Sequence, residues 1–125
     1  MIVLDASALI CLWKREAGWL AVEQELGSAT ISTANLAEAL SKLAEENGDI
    51  EAMFRELSAS GCEVSPISAA HAIIAAQLRP VTKSMGLLLG DRLCLALAID
   101  RNCAVMTADR MWGRLDIGVP VHLLR

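Results

Sequence analysis

Two short apolar runs end in the same way, and that repetition limits what the chain can fold into. Residues 2–4 (IVL) run into Asp5, and residues 103–106 (CAVM) lead through Thr107 to Asp109. Each run is rich in strand-forming residues, is too short for a helix, and is followed by a helix-like segment. Short apolar strands that alternate with helices predict a parallel sheet covered on both faces.

The rest of the chain keeps that rhythm. Helices are expected at Ala6–Trp13 and from about Glu16 to Leu26, where Gly27 ends the second. Thr30–Ile31 reads as a strand. Ser32 or Thr33 then caps the helix LAEALSKLAEEN, which Gly48 terminates. Asp49 opens a helix that ends near Ser60–Gly61, and Glu63–Ser65 reads as a strand closed by Pro66. Ser68 caps an Ala-rich helix that Pro80 is expected to stop, and residues 81–90 read as a loop. Leu93–Asp100 is so apolar that it must be a buried helix. Cys103–Met106 and Val119–His122 are the last strands, with a turn of helix at Asp109–Trp112 between them. There is no repeat or linker, and residues 1–125 read as one domain.

Composition narrows the class. Hydrophobic residues make up 54% of the 125, enough for one buried core. Charges break every apolar stretch before it reaches the length of a membrane span. The start, MIVLDASALICLW, lacks the basic region and cleavage site of a signal peptide. Cys11, Cys62, Cys94 and Cys103 form no CxxC pair and have apolar neighbours, which predicts buried free thiols and a reducing, cytoplasmic setting. Net charge is −4, from 15 acidic and 11 basic residues. That balance argues against a simple nucleic-acid binder, but four carboxylates gathered at one metal site would account for it.

In an open parallel sheet, ligands bind beyond the carboxyl ends of the strands. Asp5 and Asp109 therefore face one crevice, and carboxylates there suit a hard divalent cation. Each reads equally as an N-cap at a strand-to-helix turn. Asp91, in GDRLCLALAID, reads as the N-cap of the buried helix. Glu38 reads as half of an exposed Glu38–Lys42 pair at i,i+4. Lys14 and Arg110, near the strand-end acids, are the cations best placed in sequence to meet phosphate. Arg15, Lys83, Arg92 and Arg114 are weaker candidates. Trp13, Trp19, Trp112 and Phe54 are the only aromatics, too few for a base-stacking platform.

VLDASAL, the Glu of TANLAEAL, GDRLCLALA and VMTADRMW occur in an order and spacing that resemble the PIN-domain family, specifically the VapC-type toxins of toxin–antitoxin pairs. The resemblance spans nearly the whole chain. It implies a three-layer α/β/α sandwich with a central, mostly parallel sheet. It implies that Asp5, Glu38, Asp91 and Asp109 hold Mg²⁺ or Mn²⁺, with Ser7 and Thr107 as hydroxyl neighbours that orient them. It further implies endoribonuclease activity on RNA, a cognate VapB-type antitoxin whose peptide covers the site, and a homodimer, for which Trp13, Trp19 and Met53 are interface candidates. A haloacid-dehalogenase-type phosphatase needs a second Asp where Ser7 stands. A receiver domain needs an acidic pair beside Asp5 and a Lys after the last strand, and both are missing. A non-catalytic module that kept the fold is the remaining rival.

Overall fold

A computed structural model describes residues 1–125. Five strands, β1 (Ile2–Leu4), β2 (Ala29–Ser32), β3 (Glu63–Ser65), β4 (Ala104–Thr107) and β5 (Val121–Leu123), form one sheet in the order β3-β2-β1-β4-β5. Every pairing is parallel. Six helices cross between them: α1 (Ala6–Lys14), α2 (Trp19–Glu25), α3 (Thr33–Glu45), α4 (Ile50–Ala59), α5 (Ala69–Thr82) and α6 (Leu89–Arg101). The expected α/β sandwich with a parallel sheet is the observed fold.

Strand alternation explains the three layers. Ile2 and Leu4 of β1 and Met106 of β4 pack with Leu9, Ile31 and Leu36 on one face. Val3 and Val105, pointing the other way, pack with Leu95, Leu97 and Trp112. The central strand is thus buried on both faces, as its unbroken apolar sequence requires.

Most helix starts lie where the caps placed them. Asp5, Ser32, Asp49 and Ser68 each accept a backbone N–H from the first turn of the following helix. Four expectations need correction. Pro80 does not stop α5, which continues to Thr82. The carbonyl it orphans belongs to Ala76, which is exposed and open to water, so the lost bond costs less than it would in the core. The loop expected at 81–90 is only partly a loop: α6 starts at Leu89, four residues earlier than predicted, after a 3₁₀ turn at Lys83–Met85. Asp91 therefore lies within the first turn rather than at the cap. Its carboxylate reaches back to the Leu88 N–H at 2.9 Å, the side-chain half of a capping box.

The second helix begins at Trp19 rather than Glu16, because residues 15–18 form a turn. Arg15 (φ 51) and Gly18 (φ 96) both lie in the left-handed region. Lastly, Lys42 does not reach Glu38 but lies 4.0 Å from Glu45. Of the four free thiols, Cys11, Cys62 and Cys94 are buried and Cys103 is half-buried.

Gly18 is required twice over. Its φ disfavours any side chain, and a Cβ there would strike the Leu124 carbonyl oxygen of the C-terminal segment. Gly18→Ala is expected to lower unfolding free energy by at least about 1–2 kcal/mol, read as a fall in the urea midpoint at unchanged slope. An unchanged midpoint would show that the 15–18 turn does not depend on its glycine.

Candidate metal centre

The sheet changes direction of winding between β1 and β4. From β1 the chain moves outward to β2 and β3; after α6 it returns to the other side of β1 and moves out to β5. Such a switch point leaves a crevice at the carboxyl ends of the two middle strands. Register sets Leu4 opposite Met106, so Asp5 comes level with Thr107.

Asp5 is 5% exposed and fully engaged. Its Oδ1 accepts from Ser7 Oγ at 2.7 Å and from the Ala8 N–H at 2.9 Å. Its Oδ2 accepts from Thr107 Oγ1 at 2.6 Å. The hydroxyls are tied in turn to β4's exit: Ser7 Oγ accepts the Ala108 N–H at 2.9 Å, and Thr107 Oγ1 accepts the Asp109 N–H at 3.0 Å. One small lattice thus fixes both strand ends. Asp109, exposed, also caps the 3₁₀ turn Arg110–Arg114 through the Met111 N–H at 3.0 Å. For both acids the capping role and a place at the crevice coexist.

Glu38 and Asp91 arrive from the helices. α3, α5 and α6 meet through Ala34, Ala75 and Ala96, small residues that let the three helices close around Leu93. Glu38 therefore lies against Gly90, where any Cβ would collide with its carboxylate. That places it beside the residue before Asp91; Glu38 stays exposed, as the i,i+4 reading expected, but its partner is Asn35 and not Lys42.

Three of the four acids feel the charge of another. Burial pushes the Asp5 carboxyl up, against the bonds from Thr107, Ser7 and Ala8, and the charge on Asp91 adds to the rise. Burial also raises Glu38, opposed by Asn35 and reinforced by Asp91 and Asp5. Asp91 is raised by burial, lowered by the Leu88 N–H, raised by Asp109 and lowered by Arg92. None of the four forms a salt bridge. A set of mutually repelling oxygen donors with no paired cation fits a hard divalent ion in both chemistry and charge. As placed, no three Asp, Glu, His or Cys side chains stand close enough to share an ion, so the match lies in donor type and electrostatics.

The other sequence candidates divide. Ser7 and Thr107 are in the lattice. Arg110, next to Asp109, donates through Nε to the Arg125 carbonyl at 3.2 Å. Lys14 is set apart. It ends α1, roughly 13 Å along the helix from Asp5, and is paired with Glu46 at 2.6 Å. Arg92 turns away to the Ala75 carbonyl at 2.9 Å, and Arg15 lies over the Trp19 ring. Sequence reasoning missed Asn35 and Gly90. Asn35 sits three residues before Glu38, a same-face spacing that the helix pattern displays but does not interpret.

The sequence matches the PIN-domain family over residues 2–118. The chain belongs to that family. Among solved structures, this chain resembles a chain of a toxin–antitoxin complex from Klebsiella pneumoniae, with a TM-score of 0.81 and 20% identity over 100% of this chain and 98% of that one. It is also similar to a chain of DNA-bound VapBC from Salmonella typhimurium, with a TM-score of 0.73 and 20% identity over 100% of both chains. A chain of VapBC2 from Rickettsia felis, bound to a promoter DNA fragment, matches with a TM-score of 0.73 and 19% identity over 98% of each. No curated protein matches the chain in sequence.

The raised carboxyls set a direction for pH dependence. Asp5, Glu38 and Asp91 hold protons more tightly in the folded state than in the unfolded state. Where that is so, stability falls as pH rises. In chelator, these three carboxyls are expected to contribute a loss of stability as pH climbs from the ordinary carboxylate range through their raised values, against the opposite contribution of the lowered Glu46 and Glu63. Asp91→Asn is expected to flatten the slope. Thermal melts of both proteins from pH 4 to 7 measure it, and an Asp91→Asn slope identical to the wild-type slope would refute the electrostatic picture.

Proposed function

We propose that this PIN domain, a single domain over residues 1–125, is a metal-dependent endoribonuclease and the toxin of a VapBC-type toxin–antitoxin pair. The observation that supports the reading is that Asp5, Glu38, Asp91 and Asp109 form no salt bridge, while Asp5, Glu38 and Asp91 are raised by burial and by the charge of neighbouring acids of the quartet. Mg²⁺ or Mn²⁺ held by these four would supply an activated water and stabilise the leaving oxygen of a phosphodiester. The chain's own residues do the positioning. Ser7 and Thr107 donate to opposite oxygens of Asp5 and hold it in one orientation. Asp109 is held by its own N–H to Thr107. Arg110, beside Asp109, is the cation nearest in sequence to the strand-end acids and meets substrate phosphate.

The quartet repels a polyanion until a cation neutralises it, so RNA binding and metal binding are coupled. The strand order excludes the receiver rival, whose sheet runs 2-1-3-4-5. Ser7 donates to Asp5 at the position where a phosphatase of the haloacid-dehalogenase type requires an acid. The non-catalytic module remains the rival reading, and activity decides it.

Purified protein is expected to cleave RNA with Mg²⁺ or Mn²⁺ and to lose activity in EDTA. Asp5→Asn and Asp109→Asn are expected to slow cleavage by on the order of 10²-fold or more. Asp91→Asn keeps an oxygen for the Leu88 N–H, so the metal-free variant is expected to be at least as stable as wild type. Wild type should gain about 2.7 kcal/mol from metal at 100-fold excess over the dissociation constant, and the variant less. Equal gains would remove Asp91 from the ligand set. Cleavage that persists in EDTA and in both Asn variants would falsify the mechanism.

Two uncovered apolar surfaces support the proposed partners. Trp13 and Trp19, with Leu12, Leu26, Met53 and Leu57 and the charged Arg15, Glu23 and Glu56, line an open groove of about 290 Å³ among α1, α2 and α4. It has the form of a seat for an amphipathic antitoxin segment, which reassigns Trp13, Trp19 and Met53 from the homodimer interface. The homodimer is assigned instead to α5. Ala69, Ile73, Ala76 and Pro80 lie on its solvent face, opposite the buried His71, Ala75, Leu78 and Thr82. Ile73 is 59% exposed there, and Val81, at the edge of that face, is 62% exposed. Ile73→Glu is expected to convert a dimer to a monomer by light scattering at micromolar concentration. A wild-type monomer mass would refute the dimer.

A further inference from the structure

Asn35, beside the acidic quartet, is a buried polar side chain, 1% exposed. It stands at the third position of α3, on the face turned toward the start of α6. Its Nδ2 donates both protons at 3.0 Å, one to Glu38 Oε1 and one to the Gly90 carbonyl oxygen. A flipped amide would set Oδ1 against a carboxylate and a carbonyl, two acceptors, so the chemistry fixes the orientation. The Oδ1 left on the other side is buried with no partner.

That arrangement is poor for stability and good for placement. Between two packed helices, an apolar residue of similar size avoids the unpaired oxygen. What it cannot do is bind one chosen oxygen of Glu38 while gripping the backbone one residue before Asp91. Gly90 completes the clamp from the other side, since only a residue without Cβ lets the Glu38 carboxylate lie against it. With Oε1 engaged, Oε2 has no hydrogen-bond partner within the protein and is the oxygen free to face a cation. Asn35 also joins α3 to α6, so the same side chain sets the separation of Glu38 from Asp91.

We propose that Asn35 is a positioning residue, which locks Glu38 through Oε1 against Gly90 and presents Oε2 to the divalent cation. This rests on the metal-site reading above. Outer partners of ligating groups commonly matter at 10- to 100-fold in metal affinity, which sets the expected size.

The first measurement needs neither metal nor an Asn35 variant. In chelator, the two Nδ2 protons of Asn35 are expected to be slow to exchange and separately resolved by NMR. Glu38→Ala should move one of them strongly and leave the other, on Gly90, in place. If neither moves, the clamp does not exist. The second measurement is Mn²⁺ affinity by calorimetry. Asn35→Leu is expected to weaken binding roughly tenfold or more, and to add nothing in a Glu38→Ala background. Gly90→Ala displaces the same carboxylate without touching Asn35 and should weaken Mn²⁺ binding while leaving the melting temperature close to that of wild type.

Wild-type binding that Asn35→Leu leaves unchanged would overturn the proposal, as would an equal loss in the Glu38→Ala background, because Asn35 would then act through the fold alone. If the wild-type protein fails to bind Mn²⁺ at all, the metal reading of the quartet fails. That result also removes the presentation of Oε2 to a cation, and the amide spectrum then tells whether Asn35 still holds Glu38.

Discussion

Everything at the crevice depends on the burial of one carboxylate. Asp5 ends the central strand of the sheet, where water is excluded, and a bare charge there would be costly. Two hydroxyls and a backbone N–H offset part of that cost. The offset is incomplete, because Asp5 is still pushed toward its protonated form. The hydroxyl donors also serve the neighbouring strand, so satisfying Asp5 fixes where β4 leaves the sheet and where Asp109 begins. The site's rigidity and its electrostatic tension share one origin.

The helices bring further charge to a place already short of solvation. Glu38 and Asp91 could have been paired with cations, since Lys42 and Arg92 are near in sequence. The fold assigns those cations elsewhere: Lys42 toward Glu45, and Arg92 to a carbonyl of α5. A protein selected for stability alone gains from neutralising such a cluster. Leaving it unpaired makes the metal-free state weaker than it need be and leaves room for a divalent ion, which connects the packing of α3 on α6 to the proposed chemistry.

The acidic net charge also finds a place in this picture. With the quartet neutralised, the remaining charges balance, so the bulk value is no guide to how the crevice meets a polyanion. The two uncovered apolar surfaces lie away from that arithmetic. The groove among α1, α2 and α4 and the solvent face of α5 are on opposite layers of the sandwich, so an antitoxin segment and a second copy of the chain would not compete for the same residues.

The sequence alone determined whatever depends on neighbours along the chain. Strand ends at Asp5 and Thr107, caps at Ser32, Asp49 and Ser68, and burial of the helix after Asp91 were legible, because periodicity and capping act within a few residues. The parallel, doubly covered sheet followed from their alternation. Local rules failed where distant groups intervened. Exposed Ala76 tolerates Pro80 above it, so α5 runs on. Asp91 reaching back to Leu88 lets α6 start early. Glu38 was the sharpest case: its own helix pattern sent it to solvent beside Lys42, and only the family resemblance placed it in the site. In the tertiary structure it stays exposed but is turned to Asn35 and to a glycine 52 residues further along the chain. A helical pattern says which residues share a face. Which neighbour covers that face, and how closely, is settled by packing between segments far apart in sequence.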